Sequence, residues 1–166
     1  LENQAKIVFL GIGSNLGSRK KNIEKAKFHL AQQNINFISV SKYYETPSWP
    51  NPKNPKFLNI VLKIKCKINP LDLLILCKSI EFKLGRTKSI KNAPRVCDLD
   101  IIDFDGYVVN HKDNLYLPHK LMHMRNFVLF PLFEIQKNWL HPAKKINVKT
   151  LISQLPDRDI RSIKQV

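Results

Sequence analysis

The tripeptide Asp98-Leu99-Asp100 is where residue type and spacing speak most directly of chemistry. If Cys97 to Phe104 forms a strand, residues two apart project from one face about 6.6 Å from each other. Two carboxylates at that separation repel by about 2.5 kcal/mol at an effective dielectric of about 20. Divalent cations between them relieve the repulsion, and hard oxygen donors of this kind suit Mg²⁺ with substrate phosphates completing its shell. The acids can equally pair with some of the 28 Lys and Arg on a solvated face. Just upstream, Arg86, Lys88, Lys91 and Arg95 fall in a stretch with no apolar period, which predicts a loop. A guanidinium fork matches phosphate oxygens, and a loop can carry it over a bound nucleotide. A basic loop beside an acidic strand is what phosphoryl transfer requires, although either feature by itself also fits plain solvated charge.

A second group surrounds Phe57 and Asn59, which share the face of their strand opposite Leu58, Ile60, Leu62, Ile64 and Cys66. A ring for stacking and a carboxamide with a paired donor and acceptor, next to a loop bearing Trp49, suit a planar heteroaromatic such as a pterin or a base. The alternative is that Phe57 packs beneath the loop. His119 and Arg125 carry no local signal of their own. Glu81 falls near the end of a helix, against the dipole, a weak hint of a specific donor, while a solvated helix face suits it better. The stretch Gly11-Ile12-Gly13-Ser14-Asn15-Leu16-Gly17 matches neither glycine-rich phosphate loop: its third glycine is one residue late for the dinucleotide fingerprint, and no Gly-Lys-Ser/Thr follows.

These residues must be positioned by elements that punctuation and periodicity outline. Lys6 to Gly13 reads as a buried strand. Ser18 is placed to cap a helix reaching about Gln33, with an apolar stripe of Ile23, Ala26, Phe28, Leu30 and Ala31. Phe37 to Tyr44 is β-rich. Thr46 to Lys56 carries four of the ten prolines and predicts a loop. Leu58 to Cys66 is a strand by strict alternation, with the even-numbered residues in the core. Asn69 as cap, Pro70 in the first turn and Gly85 at the close bracket a helix whose stripe is assigned to Leu71, Leu74, Ile75 and Leu84. Tyr107 to Val109 is expected to pair with Cys97–Phe104 as a hairpin, and Phe127 to Ile135 to form a short helix or buried segment. The order β-α-β-β-α-β predicts an α+β fold of the ferredoxin-like kind, with an antiparallel sheet and helices packed on one face.

At 166 residues the chain is expected to form one domain spanning 1–166. Its net charge of +15 points to polyanionic or phosphorylated partners, or to an AT-rich genome, since the lysines are scattered. Three cysteines without a C-x-x-C pair argue against a disulfide framework or zinc site and fit a reducing cytoplasm. Apolar runs such as Leu73–Cys77 fall well short of the ~18 residues of a membrane span, so no membrane partner is expected. Leu1, where an initiating Met would stand, fits a segment of a longer chain. A basic module docking RNA on its sheet would use the charge and Phe57, yet the RNA-recognition signature is absent and two acids on one face would repel a phosphate backbone. No nucleic-acid partner is therefore expected.

With GIGSNLG, YETPSW followed by FLN, IEFKLGR, PRVCDLDI, LPH and RNFVLFPLFEI in this order, the chain resembles the 6-hydroxymethyl-7,8-dihydropterin pyrophosphokinases of folate biosynthesis from about Ile7 to Glu134. That resemblance implies transfer of a pyrophosphoryl group from ATP to the pterin hydroxymethyl oxygen, with release of AMP. It implies that Asp98 and Asp100 hold two Mg²⁺ ions, and that Arg86 and Arg95 act on the phosphates. Glu81, Lys88, His119 and Arg125 would then serve the nucleotide. Phe57 and Phe127 would sandwich the pterin, Asn59 would read its edge, Thr46 and Trp49 would contribute backbone contacts, and Gly13 would form the pocket floor. Three positions depart from the family pattern: Lys88 replaces an Arg, Asn92 stands where some members carry an aromatic lid, and Asn114 where a basic residue can meet ATP. Fusion to another folate-pathway enzyme, which occurs in the family, is compatible with this chain.

Overall fold

Alternating apolar residues build both sides of a central sheet. The computed structural model describes residues 4–87, 90–112 and 114–166. In chain order the elements are β1 (Lys6–Ser14), α1 (Arg19–Ala31), β2 (Asn36–Val40), β3 (Tyr44–Thr46), β4 (Phe57–Cys66), α2 (Pro70–Lys83) and β5 (Asp98–Phe104). There follow β6 (Val109–Lys112), β7 (Leu115–Leu117), α3 (Asn126–Ile135), α4 (Val148–Ser153), α5 (Asp157–Ser162) and β8 (Lys164–Gln165). Strands run β5-β1-β4-β3-β8, with β2 also on β4, and every pairing is antiparallel.

Val8, Leu10 and Ile12 of β1 join Leu58, Ile60, Leu62 and Ile64 of β4 and the buried stripes of α1 and α2 in one core. Phe9, Val61 and Ile102 point the other way, into a second core with Leu129 and Leu132 of α3, Trp139 and α4. The expectation of helices on one face is therefore corrected: α1 and α2 cover one side and α3 the other. Val61 belongs to a core after all, fully buried under α3. The reason is α3 itself, an apolar run interrupted by Pro131 that has to hide its surface against a sheet.

Two helix readings shift in detail. The apolar run Leu71–Cys77 has no single period, and the structure resolves it by burying Leu73, Cys77, Ile80 and Glu81 while Leu71 and Ile75 stay exposed. Asn69 caps α2 as expected, its side chain accepting from Asp72 N–H at 2.9 Å. At α1 Ser18 holds the cap position without a side-chain capping bond, and Phe28 is exposed. The proposed partner of β5 is also corrected. Gly106 turns the chain at φ 73°, and β6 pairs with β7 in a separate two-stranded sheet, leaving β1 as the neighbour of β5.

The α3 layer covers only part of its face. Beyond Phe9 and Ile102, the same side of the sheet presents Gly11 and Gly13 of β1 between Asp98 and Asp100 of β5 and Phe57 and Asn59 of β4. Two successive residues without side chains on that face leave a depression, and the chemistry gathers there.

Candidate active site

Asp98 and Asp100 face Gly13 and Gly11 across the β5–β1 ladder, and both carboxylates reach the open depression. Basic side chains from three segments converge on them. Arg86, just after α2, places Nη1 2.7 Å from both Asp98 Oδ1 and Glu81 Oε2. Arg95, at the end of the loop, lies with Nε 3.7 Å from Asp98 Oδ2, too far for a hydrogen bond. Arg125, immediately before α3, approaches Asp100 Oδ2 to 3.6 Å and His119 Nε2 to 3.4 Å. His119 Nε2 stands 3.8 Å from the same Asp100 oxygen.

Glu81 is the buried hub of this cluster. Its Oε1 accepts from the Leu99 amide at 2.7 Å and from Lys78 Nζ at 3.0 Å, so the helix carboxylate fixes both Arg86 and the acidic strand. Burial pushes the Glu81 carboxyl above its ordinary range, against the opposing pull of the Leu99 amide, Lys78 and Arg86. Burial pushes Asp98 the same way, but Arg95, Arg86 and Lys78 outweigh it and hold that carboxyl below its ordinary value. His119 is lowered by burial and by Arg125, with Asp100 acting in the opposite sense.

Two donors show what the cluster lacks. Arg95 Nε and Arg125 Nε are buried and have no hydrogen-bond partner among the described residues. Buried guanidinium donors left open cost free energy, and an incoming anion satisfies them. The carboxylates offer hard oxygens on one strand face, while no group of three or more His, Cys, Asp or Glu among the described residues could enclose an ion. This donor set fits Mg²⁺ that draws its remaining ligands from a phosphate substrate, and does not fit a closed protein cage.

The depression itself is a small cavity of about 60 Å³ walled by Trp49, Phe57, Asn59, Arg95, Arg125 and Phe127 over Gly13. Arg95 sits 5.7 Å above the Phe57 ring and Arg125 5.5 Å above that of Phe127. Asn59 is buried and donates to Thr46 Oγ1 at 3.2 Å. A Cβ on Gly13 would come within 2.8 Å of Asn59 Oδ1, so the glycine is what lets this carboxamide lie along the floor. A second, open cavity of about 750 Å³ lies alongside, walled by Glu81, Arg86 and the exposed Phe82 and Ile90. The two cavities share Arg95, Asp98, Asp100, His119 and Arg125 as a common wall.

Residues 9–137 match the family described as 7,8-dihydro-6-hydroxymethylpterin-pyrophosphokinase (HPPK). The chain belongs to this family. Among its relatives, the 2-amino-4-hydroxy-6-hydroxymethyldihydropteridine pyrophosphokinase of Aquifex aeolicus is 37% identical over 142 residues, covering 86% of this chain and 88% of the relative. The folic acid synthesis protein FOL1 of Dictyostelium discoideum is 37% identical over 151 residues, which are 91% of this chain and 23% of that protein. A crystal structure of Plasmodium falciparum HPPK-DHPS with pterin and p-hydroxybenzoate superposes with a TM-score of 0.77 at 16% identity, covering 98% of this chain and 48% of that one. It shows a shared fold. The chain thus spans about a quarter of the folic acid synthesis protein, about half of the HPPK-DHPS chain and 88% of the Aquifex pyrophosphokinase.

Of the residues singled out from the sequence, Gly13, Trp49, Phe57, Asn59 and Phe127 line the small cavity, and Glu81 and Arg86 the large one. Arg95, Asp98, Asp100, His119 and Arg125 line both, as does Asn92, while Thr46 touches the small cavity only through Asn59. Lys88 lies outside the described residues. Sequence reasoning missed Asn15, whose side chain accepts from the Arg95 amide at 2.8 Å and donates to the Pro55 carbonyl at 3.0 Å. It also missed Lys78. Asn15 could not be found from local pattern, because it and Arg95 are 80 residues apart, whereas Lys78 stands three residues before Glu81 on one helix and was open to a local reading.

Proposed function

We propose that this chain transfers the pyrophosphoryl group of ATP to the hydroxymethyl oxygen of 6-hydroxymethyl-7,8-dihydropterin, releasing AMP, as a step of folate biosynthesis. The observation that carries this reading is the common wall: a flat aromatic cavity and a large basic cavity meet at two carboxylates and two arginines. Such a wall brings an acceptor and a polyphosphate donor to one point, and proximity is a large part of what a two-substrate transferase must supply.

The pterin ring lies between Phe57 and Phe127 over Gly13, with the Asn59 carboxamide on its edge and Thr46 and Trp49 closing the side. Because the cavity is small and guanidinium groups already cover both rings, binding moves Arg95 and Arg125 off the aromatics and toward the phosphates. Glu81, His119 and Arg125, which line the large cavity, serve the nucleotide together with Lys88. Two Mg²⁺ ions, held by Asp98 and Asp100, supply positive charge against the triphosphate when bound. The pterin oxygen forms its bond to the β-phosphorus in line as the bridge from the α-phosphate to the β-phosphate opens; AMP leaves with the bridging oxygen, and the hydroxyl proton is released. Arg86 and Arg95 stabilise the charge that develops, an electrostatic contribution that usually dominates such barriers.

The same reading takes residues 1–166 as one domain of the ferredoxin-like kind, extended by the α3 layer. It is compatible with fusion of the domain to a further folate-pathway enzyme and places the domain in the cytoplasm, which its three buried free cysteines suit. No helix among the described residues is long and apolar enough to cross a membrane. The test is direct. Incubation with ATP, Mg²⁺ and the hydroxymethyldihydropterin is expected to yield AMP and the pterin diphosphate, read by chromatography; ADP would make the protein an ordinary kinase, and no turnover would overturn the proposal.

A further inference from the structure

The segment after residue 137 lies beyond the stretch that matches the family, yet it is bound to both walls of the small cavity. On one side stands Asn126, the first residue of α3, between Arg125 and Phe127. Its side chain is buried. Oδ1 accepts from the Phe127 amide at 2.7 Å, while Nδ2 donates to the Asp159 carbonyl of α5 at 2.7 Å and reaches Ser162 Oγ at 3.4 Å. On the other side, β8 follows α5 directly and pairs with β3, Gln165 opposite Tyr44 and Lys164 opposite Glu45. The Val166 amide donates to the Tyr43 carbonyl at 2.9 Å. Strand β3 ends at Thr46, the residue that holds Asn59, and runs on into the loop carrying Trp49. Beneath this span is a cavity of about 160 Å³ bounded by Pro47, Trp49, Phe127, Arg158 and Ser162.

We infer that Asn126 is a positioning residue, and that α5 with β8 forms a strap setting the distance between the Phe127 wall and the Thr46–Trp49 wall, and so the fit of the pterin. This rests on the reading that the small cavity takes the pterin. The sheet and a direct bond, Tyr44 Oη donating to Glu134 Oε2 of α3 at 2.8 Å, also relate the two walls; the strap adds a second tie at the Asn126 end of α3, beside the cavity. The strap reaches neither the large cavity nor the carboxylates, so its effect is confined to the acceptor.

The test uses the full chain carrying Asn126→Ala, which cuts one end, and Val166→Pro, which removes the amide donor at the other and, at an exposed position, leaves both cores intact. Each is expected to raise the KM for the pterin roughly fivefold, the scale of one buried hydrogen bond, while kcat and the KM for ATP stay within about twofold. The double variant is expected to show less than the product of the two effects, because both cut one strap. Pterin affinity is read independently by the quenching of tryptophan fluorescence. Unchanged pterin KM and affinity in both variants, or equal shifts for ATP and pterin, would overturn the inference. Wild-type protein that binds the pterin yet yields no AMP would overturn the proposed reaction and leave the strap to be judged on affinity. Protein that binds no pterin would sink both.

Discussion

The two cavities meet at one wall but are made in different ways. The small one is mostly framework: its floor and two sides come from β1, β4, β5 and the start of α3, with Trp49 and Arg95 reaching over it from loops, and its buried Asn59 is bonded to Thr46. The large one is bounded on one side by the irregular segment after α2, where Phe82 and Ile90 stand exposed and Gly85 and Asn92 take positive φ. A rigid planar ligand rewards a preformed slot, since little ordering remains to be done on binding. A flexible, highly charged tail is better met by long cationic side chains on a loop that can follow it. On the proposed function, shape would select the acceptor and charge would gather the donor.

The carboxylates belong to both cavities, so removing one should cost most. Asp100→Asn is expected to lower kcat on the order of 10³-fold or more with the fold intact, the scale set by losing one preorganised charge contact in a transfer site. Retention of near-normal turnover, measured as AMP release with far-UV circular dichroism as the control, would break the comparison at its joint. Next comes Arg95→Ala, which removes the guanidinium that now rests on Phe57 and keeps the backbone amide that donates to Asn15. A fall in kcat of roughly 10²-fold is expected, with the KM for the pterin nearly unchanged. A pterin defect as large as the kcat defect would mean that Arg95 belongs to the slot and not to the donor side.

How much of this was legible in the residues depended on range. Asp98 and Asp100 share a face because strand geometry has a period of two, and the Asn69 cap on Asp72 needs only three residues; both could be read locally. The alternation of β4 gave one face of the sheet, but nothing local distinguishes a strand covered on one side from one covered on both, so Val61 and the second core escaped. The α2 stripe failed for a related reason, since six of the seven residues from Leu71 to Cys77 are apolar and any phase fits. Glu81 was suspected from its place in the helix, yet its partner, the Leu99 amide, could not be named. Asn15 and Asn126 carry no signal: each bonds backbone groups brought near only by the complete fold. The glycine stretch was legible chiefly by exclusion, and the reason for Gly13 appears only when Asn59 stands 2.8 Å from a Cβ it does not have.

The framework side should also answer to pH, through His141. His141 lies beside Trp139, which donates to Asp103 on β5, and its Nδ1 accepts from the Ala143 and Lys144 amides at 3.2 and 3.0 Å. Burial, with His123 and Lys144 adding to it, lowers its pKa from 6.5 to about 4. The folded chain thus prefers the neutral ring, and the unfolded chain takes up a proton first. Stability is fully present above pH 6.5 and is lost as the pH falls toward 4. Between pH 7 and pH 5 that one residue should cost about 2 kcal/mol, and His123, lowered by burial in the same direction, adds to the trend. In urea unfolding, His141→Asn, which keeps an acceptor for the two amides, is expected to lose about 2 kcal/mol less than wild type over this interval. Equal losses in the two proteins would remove His141 from the account.

The smallest effect gives the sharpest comparison, because it sets one glycine against another on the same strand. Gly11 and Gly13 both face the depression, but a Cβ on Gly11 would meet only the Ile102 side chain, at 3.4 Å, an ordinary van der Waals distance. A Cβ on Gly13 would meet Asn59 Oδ1 at 2.8 Å, and Asn59 has little freedom to yield: it is buried and its amide is tied to Thr46. Gly13→Ala must therefore push the carboxamide off the floor where the pterin edge is to be read. Its pterin KM is expected to rise roughly tenfold, about what one misplaced buried polar contact costs, with kcat and the KM for ATP within about twofold. Gly11→Ala should leave all three constants close to wild type. If the two alanines behave alike, the floor tolerates movement, and the slot is held by its aromatic walls and not by the fixed position of Asn59.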